Sequence, residues 1–87
     1  IQGDESAFRE LIRRYHSAML SLARGIAGDV FAEDIIQDAW VSVYQHIGEF
    51  EQRSSLKTWL FRIVSNQALS RLRKESRKQS LDELDGD

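Results

Sequence analysis

The chain has no cysteine, no proline and only five glycines among its 87 residues. Without cysteine it has neither a disulfide framework nor a thiolate zinc site, and its two histidines, His16 and His46, lie far apart in the sequence. Long apolar runs are missing as well, so no membrane span or secretory leader is expected. Residues that interrupt helices are rare and residues that favour them are abundant, which predicts one all-α domain, a compact bundle of three to four helices.

Basic residues are absent from one long stretch of the chain. Residues 29–52 carry six acidic residues and no lysine or arginine, whereas residues 53–78 carry eight basic residues and a single glutamate. The overall net charge of -2 hides this segregation. A domain of this kind can present an acidic and a basic surface to different macromolecules. Electrostatic packing between its own helices explains the charge pattern equally well.

The first helical segment is predicted between Asp4, which can act as its N-cap, and Gly28, which ends it. Its apolar residues recur at helical spacing without a gap. Periodicity alone leaves open whether the segment is one helix or two helices with a bend near His16. Asp29, directly after the glycine, is placed to cap the next helix.

The second helical segment is predicted over about residues 30–47, with one apolar side. Its opposite side and flank carry polar and aromatic residues: Asp34, Gln37, Asp38, Trp40 and Tyr44. Two carboxylates one helical turn apart repel each other unless a basic group lies against them, and aromatic residues are common at interfaces. This surface therefore suits a basic protein partner, although a solvated acidic face is an equally good interpretation.

The third helical segment is predicted from about Leu56 to beyond Leu72, after a polar loop at residues 48–55 in which Ser54 or Ser55 can cap the helix. Basic, amide and aromatic residues line the edge of this helix or lie near it: Lys57, Trp59, Arg62, Asn66, Arg73 and Arg77. Cationic groups neutralise phosphates and an aromatic ring can stack on an unpaired base, so this set suits single-stranded or melted nucleic acid. A core tryptophan beside solvated arginines is the alternative.

The composition changes after Lys78, where Ser, Asp, Glu and Gly dominate. We therefore expect one domain at residues 1–78 and the start of an acidic interdomain linker at residues 79–87. The chain does not begin with Met, and we expect it to be part of a longer protein with a further domain.

An ordered set of short motifs at specific spacings resembles region 2 of the extracytoplasmic-function (ECF) sigma factors of bacterial RNA polymerase. The resemblance covers residues 1–78 and rests on residues 3–8, 14–16, 32–38 and 53–60, with Phe50, Arg62, Ile63 and Asn66. The chain has Ser17 where many relatives have proline. It also ends before the helix-turn-helix domain with which family members read the minus-thirty-five element.

The resemblance implies two macromolecular partners and assigns residues to each. The core polymerase would bind through the clamp helices of its beta-prime subunit, to a surface made by Asp34, Gln37, Asp38, Trp40 and Tyr44. Promoter DNA, mainly the melted non-template strand of the minus-ten element, would bind to Gln52, Arg53, Ser54, Ser55, Lys57, Trp59, Arg62, Asn66, Arg73 and Arg77. An anti-sigma factor is a further expected partner. No enzymatic activity, cofactor, metal or membrane insertion is expected, and the location is expected to be the bacterial cytoplasm.

Two other functions fit the residues less well. A helix-turn-helix regulator of duplex DNA needs a recognition helix after a tight turn, whereas the loop here is eight residues long, from 48 to 55. An interaction-only helical domain, held by an anti-sigma factor, needs only the acidic surface. Binding to duplex DNA or to melted DNA, with and without polymerase, distinguishes these functions.

Overall fold

The computed structural model describes the backbone of residues 2–49 and 55–85 and the side chains of residues 5–48 and 55–79. Within these ranges the chain forms helix α1 (Gln2–Ala27), helix α2 (Asp29–His46), a short 3-10 helix (Ile47–Glu49) and helix α3 (Leu56–Asp85). The prediction of an all-α bundle with three to four helices is confirmed. None of the helices in the described ranges is long and apolar enough to cross a membrane.

Helix α1 is one continuous helix, which decides the question that periodicity left open. Ser17 lies in its middle and, unlike a proline, keeps its backbone N–H for the helical hydrogen bond. The helix begins at Gln2, so the prediction of Asp4 as its N-cap is wrong.

A single residue, Gly28, joins α1 to α2. Its N–H donates to the carbonyl of Arg24 at 2.9 Å, and its backbone has φ 87° and ψ 169°, a region that is essentially restricted to glycine. The predicted stop at this glycine is confirmed. Asp29 is the first residue of α2 and makes no cap, so its predicted capping role is wrong; its carboxylate instead lies 3.5 Å from Arg24. An acidic residue there also complements the positive end of the helix dipole.

The three helices pack side by side, each antiparallel to the next in the chain. Phe8, near the start of α1, makes edge contacts with Trp40 and Tyr44 near the end of α2, at centroid distances of 5.7 and 5.4 Å. Phe31, near the start of α2, lies against Arg71 in the second half of α3. Each of the three helices therefore contacts both of the others.

The core is apolar and draws most of its residues from α2. The buried side chains are Met19 and Ala23 of α1, Ala32, Ile35, Ile36, Ala39, Trp40 and Val43 of α2, and Leu60, Val64 and Ala68 of α3. No polar or charged residue is buried in the described part of the chain. Each large apolar side chain stabilises the bundle by about 1.5–3 kcal/mol. The fold is thus maintained by inward-facing residues and leaves the outward faces of α2 and α3 free.

Helix α3 extends well past the bundle. Beyond Ala68 no described side chain is buried, yet the helix continues to Asp85, and the molecule measures 56 × 24 × 22 Å. Residues 79–85 continue the helix, and the acidic interdomain linker expected from residue 79 stays a prediction. No glycine or proline occurs between Leu56 and Asp85 to end the helix. The domain boundary at residue 78 stays a prediction.

Candidate functional site

The outward side of α2 forms an acidic face, which we define as Asp34, Gln37, Asp38, Val41 and Tyr44. Each of them lies three or four positions from another member of the set, so all five lie on one side of the helix. All five are exposed; the Asp34 side chain is 62% accessible and Tyr44 65%. Val41 was not among the predicted site residues, although its spacing of three from Asp38 and four from Gln37 was a usable signal.

Trp40 does not lie on this surface. It is only 8% exposed, and its Nε1–H donates to Nδ1 of His16 at 3.1 Å. The two rings are nearly parallel, with centroids 6.5 Å apart, and Phe8 contacts the indole from another side. Trp40 lies on the flank of α2, but α1 covers that flank and buries the indole; its role in polymerase docking stays a prediction. His16 has a structural role that the sequence did not reveal.

A small cleft opens between α1 and α2 beside the acidic face. Its volume is about 150 Å³. It is lined by His16, Leu20, Glu33, Ile36, Gln37 and Trp40. Because Gln37 belongs to both the cleft and the acidic face, the surface offered to a partner is indented and not flat.

The outward side of α3 forms a basic stripe, which we define as Arg62, Asn66, Leu69, Arg73 and Arg77. These residues follow one another at intervals of three or four, and all are exposed. Leu69 was not predicted; it is an exposed apolar residue between Asn66 and Arg73. At the N-terminal end of the stripe the half-buried Trp59 packs against the core.

Lys57 is separate from the basic stripe. It lies nine residues before Asn66, which at about 100 degrees per residue is the opposite side of the helix. Its ammonium group lies 5.5 Å from the ring centre of Phe61, one turn further along α3. Lys57 thus lies on a different side of α3 from the basic stripe, and its predicted contact with DNA stays a prediction.

Ser55 caps helix α3, as one of the two predicted serines should. Its Oγ accepts a hydrogen bond from the N–H of Thr58 at 3.1 Å and lies 2.8 Å from the Thr58 hydroxyl. Its carbonyl accepts from the N–H of Trp59 at 3.0 Å. The predicted contact of Ser55 with DNA would therefore have to form while its Oγ also caps the helix. The other predicted loop residues, Phe50, Gln52, Arg53 and Ser54, lie outside the described residues.

One ion pair joins the acidic face to α3. Arg71 Nη2 lies 3.5 Å from Asp34 Oδ2, and Arg71 Nε donates to Glu75 Oε1 at 3.1 Å. Packing between the chain's own helices therefore accounts for part of the charge segregation. Asp38 makes no such pair with the described residues and is exposed. The acidic and basic surfaces accordingly remain largely open to solvent.

No group of three or more His, Asp or Glu side chains that could hold a metal ion is found in the described part of the chain. What the structure does present is a pair of helical surfaces of opposite charge on one small bundle. Such an arrangement is typical of a helical interaction domain, with one acidic surface and one basic surface that can each bind a partner.

The family model for Sigma-70 region 2 matches residues 11–78, and the chain belongs to this family. Curated relatives include the ECF sigma factor SigW of Bacillus subtilis, 34% identical over 82 residues, which are 93% of this chain and 44% of SigW. SigM of Mycobacterium tuberculosis is 39% identical over 75 residues, 85% of this chain and 38% of SigM. The ECF sigma-E factor of Escherichia coli is 30% identical over 84 residues, 97% of this chain and 44% of that protein.

The chain spans less than half the length of each of these relatives. A solved structure with a similar fold is the NMR complex of an engineered region 2 of sigmaE with GTAAAA. It has a TM-score of 0.80 and 30% sequence identity, covering 88% of this chain and 81% of that one. The resemblance to region 2 of ECF sigma factors is confirmed.

Proposed function

We propose that this chain docks on core RNA polymerase through the acidic face of α2 and holds the melted minus-ten element of a promoter on α3 and the loop before it. The observation that carries the proposal is the separation of two exposed surfaces of opposite charge on adjacent helices. The sigmaE region 2 neighbour, which is bound to GTAAAA, supports the DNA half of the proposal.

The polymerase half of the proposal depends on two carboxylates and on the apolar groups that follow them on the same side of α2. Asp34 and Asp38 attract a basic partner and fix its register, since charge complementarity governs the encounter and the orientation of a complex. Val41 and Tyr44 supply apolar area further along the same side of α2, after Asp38, and aromatic residues often carry much of an interface's binding energy. The partner that fits this surface is a basic coiled coil, as expected for the clamp helices of the beta-prime subunit.

The DNA half depends on phosphate contacts and on base stacking. Arg62, Arg73 and Arg77 neutralise backbone phosphates, and this releases counterions. Trp59, at the end of the stripe, offers a partly exposed aromatic surface to an unstacked base. No bond is made or broken: binding energy offsets an unstacking cost of a few kcal/mol per base. The chain accordingly acts as a transcription initiation factor and not as an enzyme, inside the bacterial cytoplasm.

The test compares binding of one labelled six-nucleotide single strand and a duplex of the same sequence, each with and without core polymerase. We expect the single strand to bind better than the duplex, and the chain to co-purify with the core enzyme. Preference for duplex without polymerase would favour a helix-turn-helix type regulator. Binding to neither DNA nor core would leave only a role in protein interaction, such as capture by an anti-sigma factor.

A further inference from the structure

Arg71 differs from its basic neighbours on α3 because it points toward the bundle. It lies two residues before Arg73, hence about 200 degrees around the helix. Its side chain is only 26% exposed. Its guanidinium carbon lies 4.8 Å from the ring centre of Phe31, a residue of α2. Although Arg71 belongs to the basic segment of the sequence, it is turned away from the basic stripe.

The guanidinium of Arg71 makes three contacts at once. Nε donates to Glu75, Nη2 faces Asp34 at 3.5 Å, and the planar group lies against Phe31. Donors directed along separate edges and a flat face suited to an aromatic ring are properties of arginine that lysine lacks. These contacts restrict the position of the Arg71 guanidinium. The hydrogen bond to Glu75 comes from the same helix, α3.

Asp34 contacts Arg71 through only one of its two oxygens. Its Oδ2 pairs with Arg71, while its side chain remains 62% exposed. A carboxylate can accept several hydrogen bonds, so the same group can receive a partner's cation from the solvent side. The pair with Arg71 limits the rotamers of Asp34 before any partner arrives, and such preorganisation improves affinity by reducing the ordering required on binding.

We propose that Arg71 is a positioning residue for polymerase docking: it orients Asp34 within the acidic face and does not contact DNA. This inference depends on the proposed function, since it concerns the docking surface defined there. It assigns Arg71, one of the eight basic residues of the segment 53–78, to the polymerase-docking surface. The Arg71–Asp34 contact between α3 and α2 would then contribute to binding as well as to packing.

The experiment is a double-mutant cycle on affinity for core polymerase, using the wild type, Arg71→Gln, Asp34→Asn and the double variant. We expect Arg71→Gln to weaken core binding about five- to tenfold in the wild-type background, and less than about twofold in the Asp34→Asn background, because coupled contacts are not additive. Affinity for the single-stranded hexanucleotide should change by less than about twofold. Arg73→Gln is the matched control, with the same charge change on the outward side of α3; it should lower DNA affinity and leave core binding intact.

Folding is checked by thermal melting of each variant. If Arg71→Gln does not fold, Arg71→Lys replaces it, because a lysine keeps the charge but lacks the planar fork and the flat face of the guanidinium. We then expect weaker core binding than in the wild type with unchanged DNA binding.

Each outcome separates the inference from the proposed function. A wild-type chain that fails to bind core polymerase would contradict the proposed function itself. If the wild type binds and Arg71→Gln, or its lysine replacement, binds equally well, the positioning role is wrong. An equal loss in the wild-type and Asp34→Asn backgrounds, or a loss of hexanucleotide affinity, would likewise overturn it.

Discussion

Helices α2 and α3 bury similar side chains against the same core and expose opposite charges. Inward, α2 contributes Ile35 and Ile36, and α3 contributes Leu60 and Val64, all nearly inaccessible. Outward, α2 has carboxylates and no lysine or arginine, whereas α3 has an arginine stripe. Because burial requires only the inward residues, the outward ones are free to be selected for partners. The contrast therefore reports on function more than on folding.

The comparison also shows how far internal electrostatics explains the charge pattern. Asp34 and Arg71 form the pair between α2 and α3, at 3.5 Å and partly exposed. An exposed pair of this kind contributes at most about 1 kcal/mol. Asp38 and the outward arginines are left available, which is why the two faces are better tested by binding than by stability.

The largest expected effect comes from reversing a charge on the acidic face. Asp38→Arg should lower affinity for core polymerase by at least about 100-fold, since placing like charges together across an interface costs several kcal/mol. The fold should be unchanged, because Asp38 is exposed. The measurement is a binding titration with core enzyme. Glu10→Arg, on the outward side of α1, is the matched control, and an equal loss in both variants would contradict the assigned surface.

A change at the turn alters geometry and leaves both charged faces intact. Gly28→Ala should destabilise the protein by about 1–3 kcal/mol, because only glycine adopts this backbone conformation without strain. No atom lies within 4 Å of the added Cβ, so the strain alone is measured. Gly25→Ala, also with no atom within 4 Å but inside α1, should instead stabilise by about 0.5–1 kcal/mol. Chemical denaturation of both variants tests the pair, and a same-sign effect would contradict this account of the turn.

Substitutions at two aromatic residues of α2, Tyr44 and Trp40, should have different effects on polymerase affinity and on stability. Tyr44→Ala should weaken polymerase binding about tenfold, as is common for an aromatic at an interface. Trp40→Phe should leave that binding unchanged but lower stability by about 1 kcal/mol, because the hydrogen bond to His16 is lost. Binding titrations and thermal melts of the two variants give the answer. The reverse pattern would return Trp40 to the docking surface.

The smallest expected effect concerns one arginine of the basic stripe. Arg62→Ala should lower affinity for the single strand several-fold and reduce the salt dependence, with the slope of log K against log salt changing by about 0.7 for one lost phosphate contact. Core binding should not change. Anisotropy titrations at several salt concentrations measure both quantities. An unchanged slope would mean that Arg62 does not contact a phosphate.

Local signals in the sequence were sufficient for much of the fold. The helical period and the rarity of breakers located the three helices, and the glycine stop and the Ser55 cap were found because each depends on a few adjacent residues. The continuous helix through residues 79–85 agrees with the absence of glycine and proline between Leu56 and Asp85.

The errors and omissions at the site arise from contacts between helices. Trp40 lies eight residues after Ala32, about 80 degrees from the middle of the apolar side, and only the position of α1 decides that it is buried. His16 and Arg71 acquire their roles from partners distant in the sequence. No periodicity in one helix carries this information.

The overhang of α3 has a consequence for local stability. Arg73 and Arg77 lie beyond Ala68, the last fully buried residue of α3 in the described part of the chain, and a helical segment with little packing is only marginally stable in water. Amide hydrogens there should exchange faster than those near Leu60 and Val64. The cationic groups of these two arginines align only while the backbone is helical. A polyanion that binds them should therefore stabilise the helix, slow the amide exchange and order the surface to which it binds.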